Sequence, residues 1–441
     1  MIGAGCRRAP GGIMAMSGKR AGTAPAAGWR SVRPRRLVWP SLRAVLAALS
    51  VPNYRLLFQG NFATQIGFGM QQVAFGWLVL ELTNSPFYLG LNGFCFLFPM
   101  LVVSPFGGVI ADRFQRQRVL MVSQTLLMAL ALGLAALVLL GMVQVWHLLL
   151  ASLVIGTVMA VNVPARQALV PELVGRDLLA NAIALHSLSL NVSRIIGPAV
   201  AGALIASVGV AGCFLCQAVG YVWSVSNVRR LRVVPRPLLA RQASVLHNLW
   251  EGFQFCRRDR AVFGLLLVAS VSAVCAMPYM QLLPAYARDH LGLQADGLGL
   301  LVASSGAGAV AGSLLVTGLG QRRRRGLVLL GALVCLGVLL VGLGLVRVVP
   351  LASLLLAGVG ACGAFLMVLN NTVLQERVPD HLRGRVMSAY MVTWGLSPLG
   401  AVPLGALAAV SGSSVALMVG GGLCAVFALW LLATRPDLWT V

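Results

Sequence analysis

Apolar runs of roughly 20 residues or more, each closed by a short polar turn, fill this chain from about residue 56 onward. Twelve can be marked: 56–81, 86–111, 119–142, 145–167, 181–206, 208–228, 261–287, 295–319, 327–346, 350–371, 386–410 and 412–434. They are rich in Leu, Ala, Val and Gly, and none alternates apolar and polar residues as a membrane β-strand does. A backbone crossing lipid must satisfy its own hydrogen bonds, so each run is predicted to be a helix. The expected fold class is an all-α membrane protein with twelve transmembrane helices in two six-helix halves.

The turns are not equivalent. Those after the even-numbered runs hold twenty Arg, whereas the others hold only Arg288 and Arg347. Basic turns stay in the cytoplasm, which puts both termini there as well. The longest turn divides the chain. Residues 1–52 form a basic tail with no predicted fold, and 53–228 the first half. Residues 229–260 form a cytoplasmic linker, 261–434 the second half, and 435–441 a short cytoplasmic tail. Within the linker, Leu246, Leu249, Trp250 and Phe253 share one helical face, which predicts a helix lying on the membrane surface.

The halves echo one another. Gly107-Gly-Val-Ile-Ala-Asp112-Arg113-Phe-Gln-Arg116-Gln-Arg118 has a weaker copy, lacking the Asp, at 318–326. Pro164-Ala-Arg166-Gln167-Ala-Leu-Val-Pro171-Glu172 in the fourth turn is echoed by Gln375-Glu376-Arg377-Val-Pro379 in the tenth. Pro198 and Gly202 are echoed by Pro403 and Gly405. Parallel six-helix repeats are the plan of one large class of transporters, whose site lies between the halves at mid-membrane.

Composition agrees with lipid as solvent: 59% of the 441 residues are hydrophobic and 10% charged, against roughly 25% charged in soluble proteins. The net charge of +23 raises nucleic acid as a partner, but the Arg lie in short turns between apolar runs, so lipid headgroups are the expected neighbours. Cys213 and Cys216 have a metal-site spacing but sit inside an apolar run with no His or acid nearby. The sole Lys, Lys19, has Ile13 where a nucleotide-binding loop needs Gly. No enzyme, metal or cofactor is expected.

The turn at 107–118 resembles the signature loop of the major facilitator superfamily, with Gly108, Asp112, Arg113, Arg116 and Arg118 in register and Gln115 where Gly is usual. That resemblance covers about 53–434 and implies alternating access, with this turn as a latch between halves. Residues 164–176, Asn191-Val-Ser-Arg194-Ile-Ile-Gly197-Pro198 with Gly202, and 374–385 resemble a narrower branch. It holds enterobactin-type siderophore exporters and macrolide efflux proteins of the bacterial inner membrane. Gly197-Pro198 partly matches an antiporter motif, which implies export. Leu153 stands where proton-driven drug antiporters carry Arg.

Candidate site residues are the polar ones inside the runs. On the fifth, His186, Ser187, Asn191 and Arg194 share a face, with Arg194 near the middle. A charge at that depth costs at least about 2.5 kcal/mol, so Arg194 either serves a ligand or snorkels to a structural partner. On the first, Asn61, Thr64, Gln65, Gln71 and Gln72 form a stripe that either lines a cavity or joins helices. Tyr279, Gln281 and Tyr286 in the seventh run, and Asn370 and Asn371 in the tenth, can hydrogen-bond a polar ligand or simply pack. Glu81 and Asp289 are candidate proton carriers near the outer surface. The leading expectation is export of a siderophore-like metabolite, with macrolide or multidrug efflux beside it. Import and a non-transporting sensor are the other readings.

Overall fold

The computed structural model describes residues 46–175, 177–232, 254–318, 324–436 and 439. Most of the basic tail, the linker helix expected at 246–253 and two of the four Arg at 322–325 therefore lie outside the described residues. After a short 3-10 turn at Ala47–Ser50, the first elements are α1 (Pro52–Thr83), α2 (Pro86–Arg113), α3 (Arg116–Leu139), α4 (Val145–Val174), α5 (Leu179–Val208) and α6 (Val210–Arg229). Then come α7 (Arg260–Val271), α8 (Tyr279–Ala285), α9 (Ala295–Gly318), α10 (Arg325–Leu345) and α11 (Val349–Arg377). The last are α12 (Asp380–Trp394), α13 (Ser397–Ser411) and α14 (Ser413–Thr434).

Ten stretches among the described residues are long and apolar enough to cross a membrane, which makes this a multi-pass membrane protein. Helices α1 and α6 are long but not among the ten. Their amides, such as Gln65, Gln72, Gln217 and Asn227, dilute the apolar surface.

Helix ends follow local chemistry. Pro52 and Pro86 open α1 and α2, where a missing N–H costs nothing. Gly209 and Gly412 each supply the left-handed residue, at φ 81° and 92°, that reverses the chain between two helices. The Asp259 carboxylate caps α7 by accepting from the Ala261 and Val262 amides at 2.9 and 3.2 Å. Asp259→Ala should lower stability by about 1 kcal/mol, read as a drop in the unfolding midpoint in mixed micelles.

Four features differ from the sequence reading. The stretch 164–174 is helix, not turn: α4 runs through Pro164 and Pro171 to Val174. The tenth turn shrinks to Val378-Pro379, because a residue before Pro is driven to the extended region, here φ −82° and ψ 130°. The seventh run is broken by two π-helical turns, Ser272–Ala276 and Tyr286–His290, around Pro278 and Pro284. The eleventh is broken at Gly395-Leu396.

Packing uses small residues, as expected where neither helix gains from leaving lipid. Helix α2 crosses α4 with Gly156 against Phe96, and α9 crosses α11 with Gly360 against Ser305. Gly337 and Gly421 join α10 to α14. Helix α5 meets α9 where Gly202 abuts Asp296 and Gly299 abuts Pro198. Helix α2 meets α13 where Gly90 and Gly405 touch. These last two crossings lie near the end of the bundle that carries the turns at 84–85, 209 and 412. Arg288 adds to them: it donates to the Leu80 carbonyl at 3.1 Å and to Asn84 Oδ1 at 3.0 Å.

Candidate functional site

Polar side chains inside the bundle gather in three places. The first is a cavity of about 90 Å³ bounded by α1, α2, α4, α8 and α9. Gln71, Gln72, Asn92, Ser152 and Gln281 are its polar lining, with Phe68, Phe75, Phe96 and Met280 around them. Gln217 of α6 donates to Gln71 Oε1 at 2.7 Å, and Ser152 donates to Asn92 Oδ1 at 2.7 Å. Drug-sized ligands need roughly 300–1,000 Å³, so this cavity takes a ligand that size only if the helices part or the ligand extends beyond it.

The second place is a network linking α1, α4 and α5. The Arg166 guanidinium donates to Asn61 Oδ1 from one terminal nitrogen and to Asn162 Oδ1 from the other. That fixes the Asn61 amide, whose Nδ2 sits 3.2 Å from His186 Nδ1. The ring nitrogen therefore accepts, and the imidazole proton resides on Nε2. Among the described residues, every acceptor for Arg166 is a neutral amide oxygen.

The third is Arg194 itself, halfway along α5, with its side chain exposed. No described residue hydrogen-bonds or ion-pairs with it. Gly306 of α9 packs on its backbone and Cβ, and its charge reaches Tyr279, whose hydroxyl lies 2.7 Å from Ser305 Oγ in a buried pair. It therefore stands where α5 meets α9.

The predicted residues divide accordingly. Gln71, Gln72 and Gln281 share the cavity, and Asn61 and His186 share the α1–α4–α5 network. Gln65 and Asn191 are half-buried on α1 and α5. Thr64 is turned away, its buried hydroxyl bonded to the Asn61 carbonyl at 2.9 Å. Asn370 is buried and donates to the Leu265 carbonyl at 3.0 Å, so it ties α11 to α7. Tyr286 likewise donates to the Leu343 and Val346 carbonyls. Glu81 is exposed, and Asp289 pairs with Arg288 at 2.8 Å.

At the signature turn, Gly108 and Asp112 lie on α2, but their side chains fall outside the described residues. Arg113 and Arg118 are exposed, and Arg116 pairs with Glu172 at the end of α4, 2.6 Å away. Arg325 pairs with Glu376 at 2.6 Å in the same way, half a chain later. Sequence reasoning missed Arg166, Asn162, Asn92 and Ser152 as site residues. Residues 162 and 166 are one turn apart, a signal visible only if the helix continues past Pro164.

Residues 43–438 match the family model described as transmembrane secretion effector, of the major facilitator group. A staphyloferrin A transporter of Staphylococcus aureus is 27% identical over 372 residues, 81% of this chain and 88% of that protein. An enterobactin exporter of Escherichia coli is 30% identical over 366 residues, 81% of this chain and 86% of that protein. Among solved structures, a nucleoside transporter superposes with a TM-score of 0.69 at 14% identity, over 86% of this chain and 98% of its own. A D-xylose–proton symporter superposes at 0.68 and 13% identity, over 89% and 99%. At that identity the two structures speak for the fold alone.

Proposed function

The chain belongs to the transmembrane secretion effector family of the major facilitator superfamily, a family of transporters, and from that premise we propose an exporter of a siderophore-like anionic metabolite. It works by alternating access across the bacterial inner membrane, with twelve spans in two halves and both termini in the cytoplasm. The contact pattern supports the halves. Helix α2 packs on α4 as α9 packs on α11, and α3 on α6 as α10 on α14. The crossings of α5 on α9 and of α13 on α2 exchange under the same two-fold relation. The Arg116–Glu172 and Arg325–Glu376 pairs repeat it at the basic end. On this reading α1 and α6 complete the twelve. The crossings near the turns at 84–85, 209 and 412 close the outer end, which is the inward-facing limb of the cycle.

The observation that carries the substrate class is Arg194. A guanidinium at mid-membrane without a counter-ion is costly, and an anionic ligand at the junction of the halves relieves that cost. The names of the relatives agree, both being transporters of siderophores. The test compares culture supernatants of a deletion strain and its parent under iron starvation by mass spectrometry. A metal-chelating metabolite missing outside and accumulated inside is the expected result. Unchanged profiles would sink the siderophore assignment. The Phe and Met walls of the cavity favour macrolide efflux as the second reading, for which greater macrolide sensitivity of the deletion strain is the sign.

A further inference from the structure

Arg194 is not the only cation on the membrane-spanning helices without a counter-charge among the described residues. The Arg166 fork spans α1 and α4, and its two terminal nitrogens hold two amide oxygens, one from Asn61 and one from Asn162. Two oxygens on two terminal nitrogens is the pattern in which a guanidinium holds one planar carboxylate. Here the oxygens are neutral, so the hydrogen-bonding geometry is satisfied and the charge is not. Glu172, further along the same helix, is committed to Arg116 at 2.6 Å. Asn162 adds an independent sign: it is fully buried, and its Nδ2 donor has no acceptor among the described residues. A buried donor without an acceptor is as unfavourable as a lost hydrogen bond. The network therefore lacks one negative charge and at least one acceptor oxygen, and a carboxylate supplies both.

We propose that Arg166, Asn162 and His186 form an anion-binding subsite, separate from Arg194, that takes a carboxylate group of the transported molecule. The ligand's oxygens displace the amide oxygens from the guanidinium. Freed Asn61 keeps His186 oriented, with its Nε2–H available as a further donor. The assignment rests on the export reading only in naming the ligand as cargo.

The test uses the full chain in lipid nanodiscs, with citrate and benzoate as probes and neutral benzamide as control. Both anions should raise the thermal midpoint of the wild type saturably, and benzamide should not. Arg166→Gln should weaken the apparent affinity by about tenfold or more. Arg166→Lys should keep part of it, and Arg194→Ala should leave the Arg166-dependent component in place. Asn162→Asp is the sharpest variant, because it puts a resident carboxylate on the fork. It should raise the midpoint without ligand and abolish the response to citrate. No saturable response in the wild type, an equal response to benzamide, or wild-type affinity in Asn162→Asp would each overturn the proposal. An unchanged metabolite profile in the deletion strain, with Arg166-dependent binding intact, overturns the export reading and leaves the subsite standing.

Discussion

Gly90→Val should abolish transport while leaving the protein folded in the membrane. A Cβ at residue 90 runs into the Ala401 carbonyl oxygen and comes within 3.2 Å of Gly405 Cα. Both obstacles are backbone, so neither can swing aside. Helix α2 is held by α4 and α13 by α14, and the clash is most easily relieved by moving these two pairs apart. Overpacking of this kind costs about 1–3 kcal/mol, which shifts a two-state equilibrium by a factor of roughly 5–150. The shift favours opening the end that carries the turns at 84–85 and 412. The measurement is labelling of Gln281→Cys by a membrane-impermeant thiol reagent, in a background with the native Cys replaced. Labelling from outside should rise about tenfold or more while uptake into inverted vesicles falls. Loss of folded protein with no gain in labelling would instead make this crossing part of the scaffold.

Arg194→Ala should reduce transport by about 10- to 150-fold, the worth of a hydrogen bond to a charged group. Arg194→Lys should recover only part, because an ammonium lacks the planar fork. Stability should move the other way. A guanidinium halfway along a membrane-spanning helix, with no partner among the described residues, opposes folding, so its removal should hold or raise the thermal midpoint. A structural arginine that tied α5 to its neighbours would do the opposite, and a lower midpoint together with lost transport would defeat the ligand role. Reading both quantities on one preparation separates the two cases.

The apolar period carries most of the fold in plain view. Run lengths place α2, α3, α10 and α14 within a few residues. Breaks inside a run are less legible. Pro278 and Pro284 mark the seventh run as irregular, but π-helical turns such as Ser272–Ala276 have no composition of their own. Proline misleads in the other direction at Pro164 and Pro171. Each Pro gives up one backbone hydrogen bond, a loss that membrane helices tolerate where neighbours re-satisfy the freed carbonyl, and α4 continues through both.

For the site, helical spacing says which residues share a face but not what that face meets. Thr64 and Gln71 lie on the same stripe of α1, yet one hydroxyl returns to its own backbone and the other side chain reaches α6 and the cavity. Asn370 shows the same limit, since its amide is spent on the Leu265 carbonyl. Arg166 escaped because a residue placed in a turn looks solvated. Only its position on a helix, one turn from Asn162 and across from Asn61, turns it into a half-buried charge held by amides.

The pairing of α1 with α6 also bears on how the chain is made. Helix α1 is one of the two long helices that are less apolar than the ten spans. Its stabilising partners, Gln217 for Gln71 and Ser224 for Gly60, lie on a helix synthesised much later, with 146 residues separating the two glutamines. These contacts can form only once α6 has been made. Chains truncated before residue 210 lack these partners and should accumulate in the membrane to a lower level than the full chain, read by immunoblot, so completion of the α1–α6 pair sets when the first helix gains its polar partners.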